Sequence, residues 1–454
     1  MNIIKNISFY ILITIIYLIK QRCLMINETQ MVVKPFKPIP INITVDSLPA
    51  PYNTSSAAKP AQVVPVPEEA PLYVPENFFV TIYKDGLNAP RMLTYTPTGD
   101  ILVTEAHGSK ISILIDNDND GTVDEIQTFA DASNGVNNSF GMSFINGYFF
   151  LGNAFNLRRY IYQNGSRRLE GVGEIIMEYE GTHHWTRNVI IPPSNDKVYV
   201  SVGSGSNVDI EYPSRASVQV ANFNGSDNKT YAYGLRNPVG LAFHPVTNDL
   251  YVTVQERDEL GDDLVPDYFT RIQEDDFYGW PFAYLTSNNV DPRRKFSNGS
   301  SERPDLVNKT KTPDVLFQAH SSVLGMRFYT GKTFPQYYRN GAFAAFHGSW
   351  NRNMGTGEKL VFVPFGENNR PLGYYEDFLY GFLLDPSIPT TFGRPVGLLV
   401  LNDGSLLFSD DGNGRIYRVQ YDNSRQSTTT PSSRTTFIRS NIWLFTLLLF
   451  TSTF

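Results

Sequence analysis

A histidine pair, an Arg-Asn pair and an acidic loop are the places in this chain where residue types and spacing could do chemistry. His183 and His184 stand side by side ahead of Trp185. Histidine is the side chain whose ordinary pKa best suits taking a proton near neutrality. The pair reads either as a proton acceptor or as a structural pair in the core or on the surface. Arg236 and Asn237, fixed by Pro238, stand at the mouth of a predicted hairpin, Val239 to Phe243 and Leu250 to Val254 joined through Pro245 to Asn248. An arginine there either caps loop carbonyls or offers its fork to a carboxylate, which it meets two bonds at a time. Asp116 to Glu125, DNDNDGTVDE, starts like a calcium loop, with carboxylates at loop positions one, three and five and glycine at six. Gln127 stands where a bidentate glutamate belongs and no helix pattern flanks the loop. It therefore does not read as an EF-hand, and the expectation is a solvated hairpin tip, with weak calcium binding as the alternative.

The elements that must position these residues are short strands. Six times an apolar strand leads through a polar turn into a second, and the second strands begin near Ile101, Phe149, Val198, Leu250, Phe343 and Leu406. The first four lie 48, 49 and 52 residues apart, and the next gaps are 93 and 63. Glu105, Asn153, Gly203-Ser204 and His347 follow directly where such strands stop. Near-equal repeats suit a radial array better than two stacked sheets. The expected fold is all-β, a six-bladed propeller in a single domain, whose strand ends surround one mouth of a channel; a β-sandwich is the alternative.

Composition agrees with a large β body. Of 454 residues 41% are apolar, enough for a sizeable core, and 31 Phe with 26 Tyr favour strands. A net charge of −7 lacks the basic footprint of a nucleic-acid binder. The single cysteine, Cys23, leaves no disulfide framework or cysteine-ligated metal site.

The domain boundaries follow from composition. Residues 1–24, with an apolar run from Ile7 to Ile19 between lysines, read as a signal peptide, with an uncleaved signal anchor as the alternative. Residues 25–71 are rich in proline and read as a linker or wrap-around arm. The propeller is expected over 72–422, a Ser/Thr-rich spacer over 423–440 and an apolar tail over 441–454. The last pair reads as a GPI-attachment signal, or otherwise as a short tail anchor. The Asn-x-Ser/Thr sequons at Asn27, Asn42, Asn53, Asn137, Asn164, Asn224, Asn228, Asn298 and Asn308 fit a glycoprotein on the secretory route. The expected location is the cell surface, with membrane contact only through a terminal anchor.

Five motifs in order, HWTRN at His184 to Asn188 (counting from the His), YVSVGSGSNV at Tyr199 to Val208, RNPVGLAF with an acidic loop and YGW across Arg236 to Trp280, HGSWNR at His347 to Arg352 and GRPVGL at Gly393 to Leu398, give a chain that resembles the glucose and sorbosone dehydrogenases. These are sugar oxidoreductases that use pyrroloquinoline quinone, and the resemblance covers roughly Pro75 to Tyr421. It implies that His184 is the general base in hydride transfer from a sugar hydroxyl. It implies that Arg236, Asn237 and Arg394 bind the quinone, with Arg352 and Trp350 as looser candidates. It also implies a calcium ion on the backbone carbonyls of Arg257 and Asp258; Asp262 and Asp263 either bind a second calcium or cap their loop. The chain departs from the family at His183, where some members have a carboxylate, at a lysine not matched within HGSWNR, and at a glutamine lost around Val136 to Asn138.

Two other function classes fit the same strand-end residues. Glu105, Asn153 and Asp410 could hold the ion of a calcium-dependent hydrolase or lactonase, and a catalytically silent propeller could bind glycans or protein partners. The sugar and the external electron acceptor are not specified by the sequence.

Overall fold

Short strands rich in Val, Ile, Leu and Phe, interrupted by Gly, Asn and Pro turns, can bury both faces only if sheet packs on sheet. A computed structural model of the chain describes residues 30–118, 120–180, 183–194, 196–422 and 424. The expected signal peptide, spacer and apolar tail lie outside the described residues. Residues up to Tyr421 make one compact unit; of the second, from Asp422 on, only Asp422 and Ser424 are described. Among the described residues helix is confined to 3-10 turns and one α-turn, Pro304–Val307.

Six sheets of four or more strands follow one another along the chain. Their second strands are Ile101–Glu105, Tyr148–Gly152, Val198–Val202, Leu250–Gln255, Ala342–Phe346 and Leu406–Asp410, each within a residue of the expected start. Five sheets are built from consecutive strands, apart from a parallel addition of Asp276–Phe277 to the third and an insertion before the last strand of the fourth. The sixth is different. Its outer strand is Phe78–Lys84, from the other end of the body, paired antiparallel with Arg415–Tyr421. Contacts between first strands run from each sheet to the next and from the sixth back to the first.

Glycines in or directly before the first strands, two of them in the VGL of RNPVGLAF and GRPVGL, explain how these strands come so close. A Cβ on Gly141 would stand 2.3 Å from Val189 N, on Gly240 2.7 Å from Leu324 O, on Gly325 2.4 Å from Val396 O, and on Gly397 2.3 Å from Arg91 O. Each glycine admits the backbone of the next sheet, where any side chain would force the sheets apart. At the centre a small apolar cluster takes one side chain from each sheet or its lead-in: Met92, Phe140, Trp185, Val239, Leu324 and Val396. Larger clusters of aliphatic and aromatic residues fill the spaces between sheets.

The proline-rich stretch is laid against this body. Val33–Phe36 pairs with Leu72–Pro75. Tyr52 N donates to Leu260 O, Lys59 N to Trp350 O and Val64 N to Thr391 O, all at 2.7–2.8 Å. Three side-chain amides reach back to it, Asn351 to Ala57 O, Asn353 to Ser55 O and Asn413 to Val64 O. Segments 52–64 therefore cross loops of the fourth, fifth and sixth sheets.

Candidate active site

In an antiparallel pair the start of one strand faces the end of the next, and the register places Pro90 opposite Glu105, Asn237 opposite Gln255, Val323 opposite Phe346 and Pro395 opposite Asp410. Lead-ins to the first strands and exits from the second therefore share one rim. His184, Arg236, His320, His347 and Arg394 are all on such segments.

His184 is oriented by the SGSN loop. Its Nδ1 lies 2.9 Å from the Ser204 carbonyl and 3.0 Å from Ser204 Oγ. A carbonyl can only accept, so Nδ1 carries the proton and Nε2 keeps its lone pair. Burial lowers the His184 pKa well below the usual histidine value, helped by the positive charge of Arg236. Arg187, fully buried, holds the loop from behind through Nη1 to the His184 carbonyl at 2.6 Å. His183 is exposed, its ring edge-on to His184 at 4.5 Å.

The same loop meets the Arg-Asn pair. Ser204 N donates to Arg236 O at 2.8 Å. Arg236 itself is buried and engaged: Nη2 to Asp258 Oδ2 at 2.7 Å and to Asn207 Oδ1 at 3.0 Å, Nη1 to Glu256 O at 2.6 Å. Burial pushes Asp258 up, but Arg236 and His320 outweigh it and hold the carboxyl below its ordinary value. Asn237 donates to Gln255 Oε1 at 2.9 Å, while its own Oδ1, buried, has no partner. Trp280 of the YGW motif donates to Asn207 O at 2.8 Å and so fixes the SGSN loop from the far side.

Across the rim a second charged group adjoins the central cluster. The Arg91 guanidinium lies 5.2 Å from the Trp185 ring and 5.3 Å from that of Phe140, and it pairs with Asp411. His347 Nε2 reaches the same carboxylate at 2.8 Å. Burial lowers His347 to about 4; Asp411, which burial alone would raise, is held far below the carboxylate range by His347 and Arg91. Arg394 uses Nε on the His347 carbonyl at 3.1 Å, and no hydrogen bond from its two terminal nitrogens is formed among the described residues. Its donors are the open ones.

The remaining expected site residues fall elsewhere or are already occupied. The Arg257 side chain is fully buried in an ion network with Glu256 at 2.9 Å and Asp291 at 3.1 Å. The Asp258 carbonyl accepts from Arg293 Nη1 at 2.9 Å and Asn207 Nδ2 at 3.2 Å. Asp262 accepts from Asn353 N at 3.0 Å and, through its carbonyl, from Arg352. Asp263, exposed, pairs with Arg352 at 2.8 Å, and Trp350 is exposed. Arg352, Asp262 and Asp263 thus tie two loops together. Glu105, Asn153 and Asp410 are each engaged at their own strand end, by Lys110 and Asn88 N, by Asn137 N and Gly135 O, and by three backbone amides on Asp410 Oδ1. Among the described residues only Asp116, Asp118 and Asp120 bring ligand oxygens within 4.8 Å of one another, in the DNDNDG loop.

The sequence marks Ser204 only as a strand end, and it does not single out Arg187, Asn207, Arg91, His320 or Asp411. Ser204 and Asn207 stand inside one quoted motif, and Arg187 inside another. Arg91, His320 and Asp411 carry no local pattern.

Comparison with known proteins adds a family. The model of the family described as TrAA12-like matches residues 72–276 and 272–422. An uncharacterized protein of Borreliella burgdorferi is 34% identical over 241 residues, 53% of this chain and 61% of its own length. A pyrroloquinoline quinone-dependent sugar dehydrogenase of Hypocrea jecorina is 24% identical over 386 residues, 74% of this chain and 86% of that protein. Among solved structures, the holo form of the pyranose dehydrogenase PQQ domain from Coprinopsis cinerea has a TM-score of 0.65 at 20% identity, covering 78% of this chain and 98% of that one. That likeness is one of fold.

Proposed function

The chain belongs to the TrAA12-like family, and from that premise we propose that it is a six-bladed propeller that oxidises a sugar CH–OH group by hydride transfer to pyrroloquinoline quinone. The observation that carries this reading is the setting of His184. A half-buried neutral imidazole, with its Nδ1 proton committed to Ser204 and its Nε2 lone pair free, is a base ready at neutral pH. When bound, the quinone supplies the two-electron acceptor.

The residues present suit an anionic planar group. Arg394 has open donors, and the half-buried Trp185 ring, with the Arg91 guanidinium 5.2 Å from it, offers a flat surface; Asn237 Oδ1 is unpartnered but buried against Gly203. Arg236 acts less as a direct clamp than as the post that holds Asp258 and Asn207 against the His184 loop. His184 takes the hydroxyl proton at Nε2, and Ser204 stabilises the imidazolium by accepting from Nδ1. Calcium belongs to this reading as a requirement. The Arg257 and Asp258 carbonyls do not offer it a ready seat, because Arg293 already occupies the latter, and no step is derived through it.

The test is reconstitution of purified protein with pyrroloquinoline quinone and calcium, followed by dye reduction over a panel of aldoses and pyranoses. Activity with at least one sugar is expected; no binding and no turnover with any sugar at saturating cofactor would sink the reading. A glycosylated, GPI-anchored position at the cell surface is part of the same proposal, motivated by the sequons and the apolar tail. Phosphatidylinositol-specific phospholipase should release the protein from cells, and retention despite active enzyme would count against the anchor.

A further inference from the structure

Beneath the His347 loop lies an acid that the proposed reaction does not use. Glu358 is 1% exposed, and neither carboxyl oxygen has a hydrogen-bond partner. Its pocket depends on glycine: a Cβ on Gly348 would stand 2.0 Å from Glu358 Oε1, and one on Gly357 2.7 Å from Gly348 Cα. A buried polar group left without partners costs free energy, so the site is kept at the expense of stability.

The charged groups facing it are few. Lys359, next in sequence, turns its Nζ to Asp377 at 2.7 Å. Arg394 is the other, with its terminal nitrogens unengaged. Around Arg394 stand Asp411, shared by His347 and Arg91, and Asp410, whose Oδ1 takes the amides of Arg394, Gly412 and Asn413 while Oδ2 has no partner.

We propose that Glu358 is a positioning residue that decides whether Arg394 is open to an anion: as a neutral acid it leaves the guanidinium free for a carboxylate of the cofactor, and as a carboxylate it takes the guanidinium for itself. This rests on the quinone reading above. Burial pushes Glu358 up to about 8, against the pull of Arg394 and Lys359, and pushes Asp410 up to about 6. At pH 7 the positive charges of Arg91 and Arg394 are then balanced by Asp411 and Asp410, with Glu358 and His347 neutral. Above pH 8 the ionised Glu358 leaves the group with one net negative charge, and an anion meets repulsion instead of an open fork. Because the bound state keeps the proton that the free state loses, anion affinity falls as pH rises through 8, with a limit of about tenfold per pH unit.

The test is equilibrium binding of pyrroloquinoline quinone to the full chain, read by quenching of tryptophan fluorescence from pH 6.5 to 9.5, with citrate as a redox-inert tricarboxylate in parallel. Wild type should lose about tenfold or more between pH 7.5 and 9.5. Glu358→Gln, neutral at every pH, should bind within about twofold of wild type at pH 7 and lose the pH dependence. An equal fall in both proteins, or none in wild type, overturns the proposal. If citrate binds with the expected dependence but the quinone does not bind, the dehydrogenase reading falls and the role of Glu358 stands; if neither binds, both fall. Should the variant fail to fold, the wild-type infrared difference spectrum decides: a protonated-carboxyl band must disappear between pH 7 and 9.5 and return when citrate is added, and its absence refutes the idea.

Discussion

Gly203→Ala is the smallest change that should disable the site. A Cβ there would stand 2.3 Å from Asn237 Oδ1 and 2.5 Å from His184 Cβ, where ordinary contact begins at 3.4 Å, so each neighbour must give by about 1 Å. Neither can give cheaply. His184 is pinned by Ser204 and Arg187, and Asn237 by Gln255, which is itself held by the Val323 carbonyl. A misplacement of about 1 Å at the reacting groups costs on the order of 100-fold in rate, while overpacking of one methyl destabilises by about 1–3 kcal/mol. The expected outcome in steady-state dye reduction is therefore a kcat lowered about 100-fold in a protein that still unfolds cooperatively at a modestly lower temperature. Gly108→Ala, on the same rim, meets nothing closer than 3.5 Å and serves as the silent control. If Gly203→Ala keeps kcat within about threefold of wild type, the packing of His184 against this glycine does not set its geometry and the reasoning is wrong.

Other outcomes follow from the same geometry. His184→Ala should lower sugar-dependent dye reduction by about a hundredfold to ten-thousandfold, and replacing the exposed His107 should not. Because burial depresses the His184 pKa, the acid limb of kcat/KM against pH should lie below the ordinary histidine value of 6.5, and a limb at or above 6.5 would mean another group is the base. Arg257→Ala leaves Glu256 in the interior without its cation, while Asp291 keeps Arg293, and should cost about 3–5 kcal/mol in chemical denaturation, although the backbone carbonyl at that position is untouched. His347 is held neutral to about 4 in the fold but titrates near 6.5 when unfolded, so the unfolded chain binds more protons between those values. Stability should rise with pH across that window, and His347→Gln should flatten the rise.

The parts legible in the sequence are those with a local signal. The second strands announce themselves by apolar runs ending at polar residues, and Arg236-Asn237 and His184 sit in quoted motifs whose neighbours turn out to hold one another, Ser204 N on Arg236 O above all. The VGL glycines stand within motifs of the family resemblance, while their physical task, admitting the next sheet, is set by packing between sheets. Pairings across long separations leave no trace in a window of residues. Asp258 finds Arg236 from 22 residues away, and Arg257 finds Asp291 from 34. Glu358 in GTGEKL carries no local pattern, and the crossing of two glycines buries it. The proline-rich arm has no periodicity, so its bonds to Asn351, Asn353 and Asn413 could not be anticipated beyond the idea that it wraps.

The strand Phe78–Lys84 completes the sixth sheet against Arg415–Tyr421, and this sets an order of events on the ribosome. The first body strand to emerge meets only an isolated bridge from Gln30 and lacks its sheet partner until more than 300 residues later have been made. At about 5–20 residues per second that is a wait on the order of 15–70 s. Through that interval a row of unpaired amides and carbonyls stays available to other chains, and the part of the arm from Lys59 to Val64 has nothing to lie on until the Trp350 and Thr391 loops exist. The rim around Arg394 is thus among the last places to form, so a nascent chain cut short before Arg415 would carry His184 and Arg236 on an open sheet array with no closed mouth to serve.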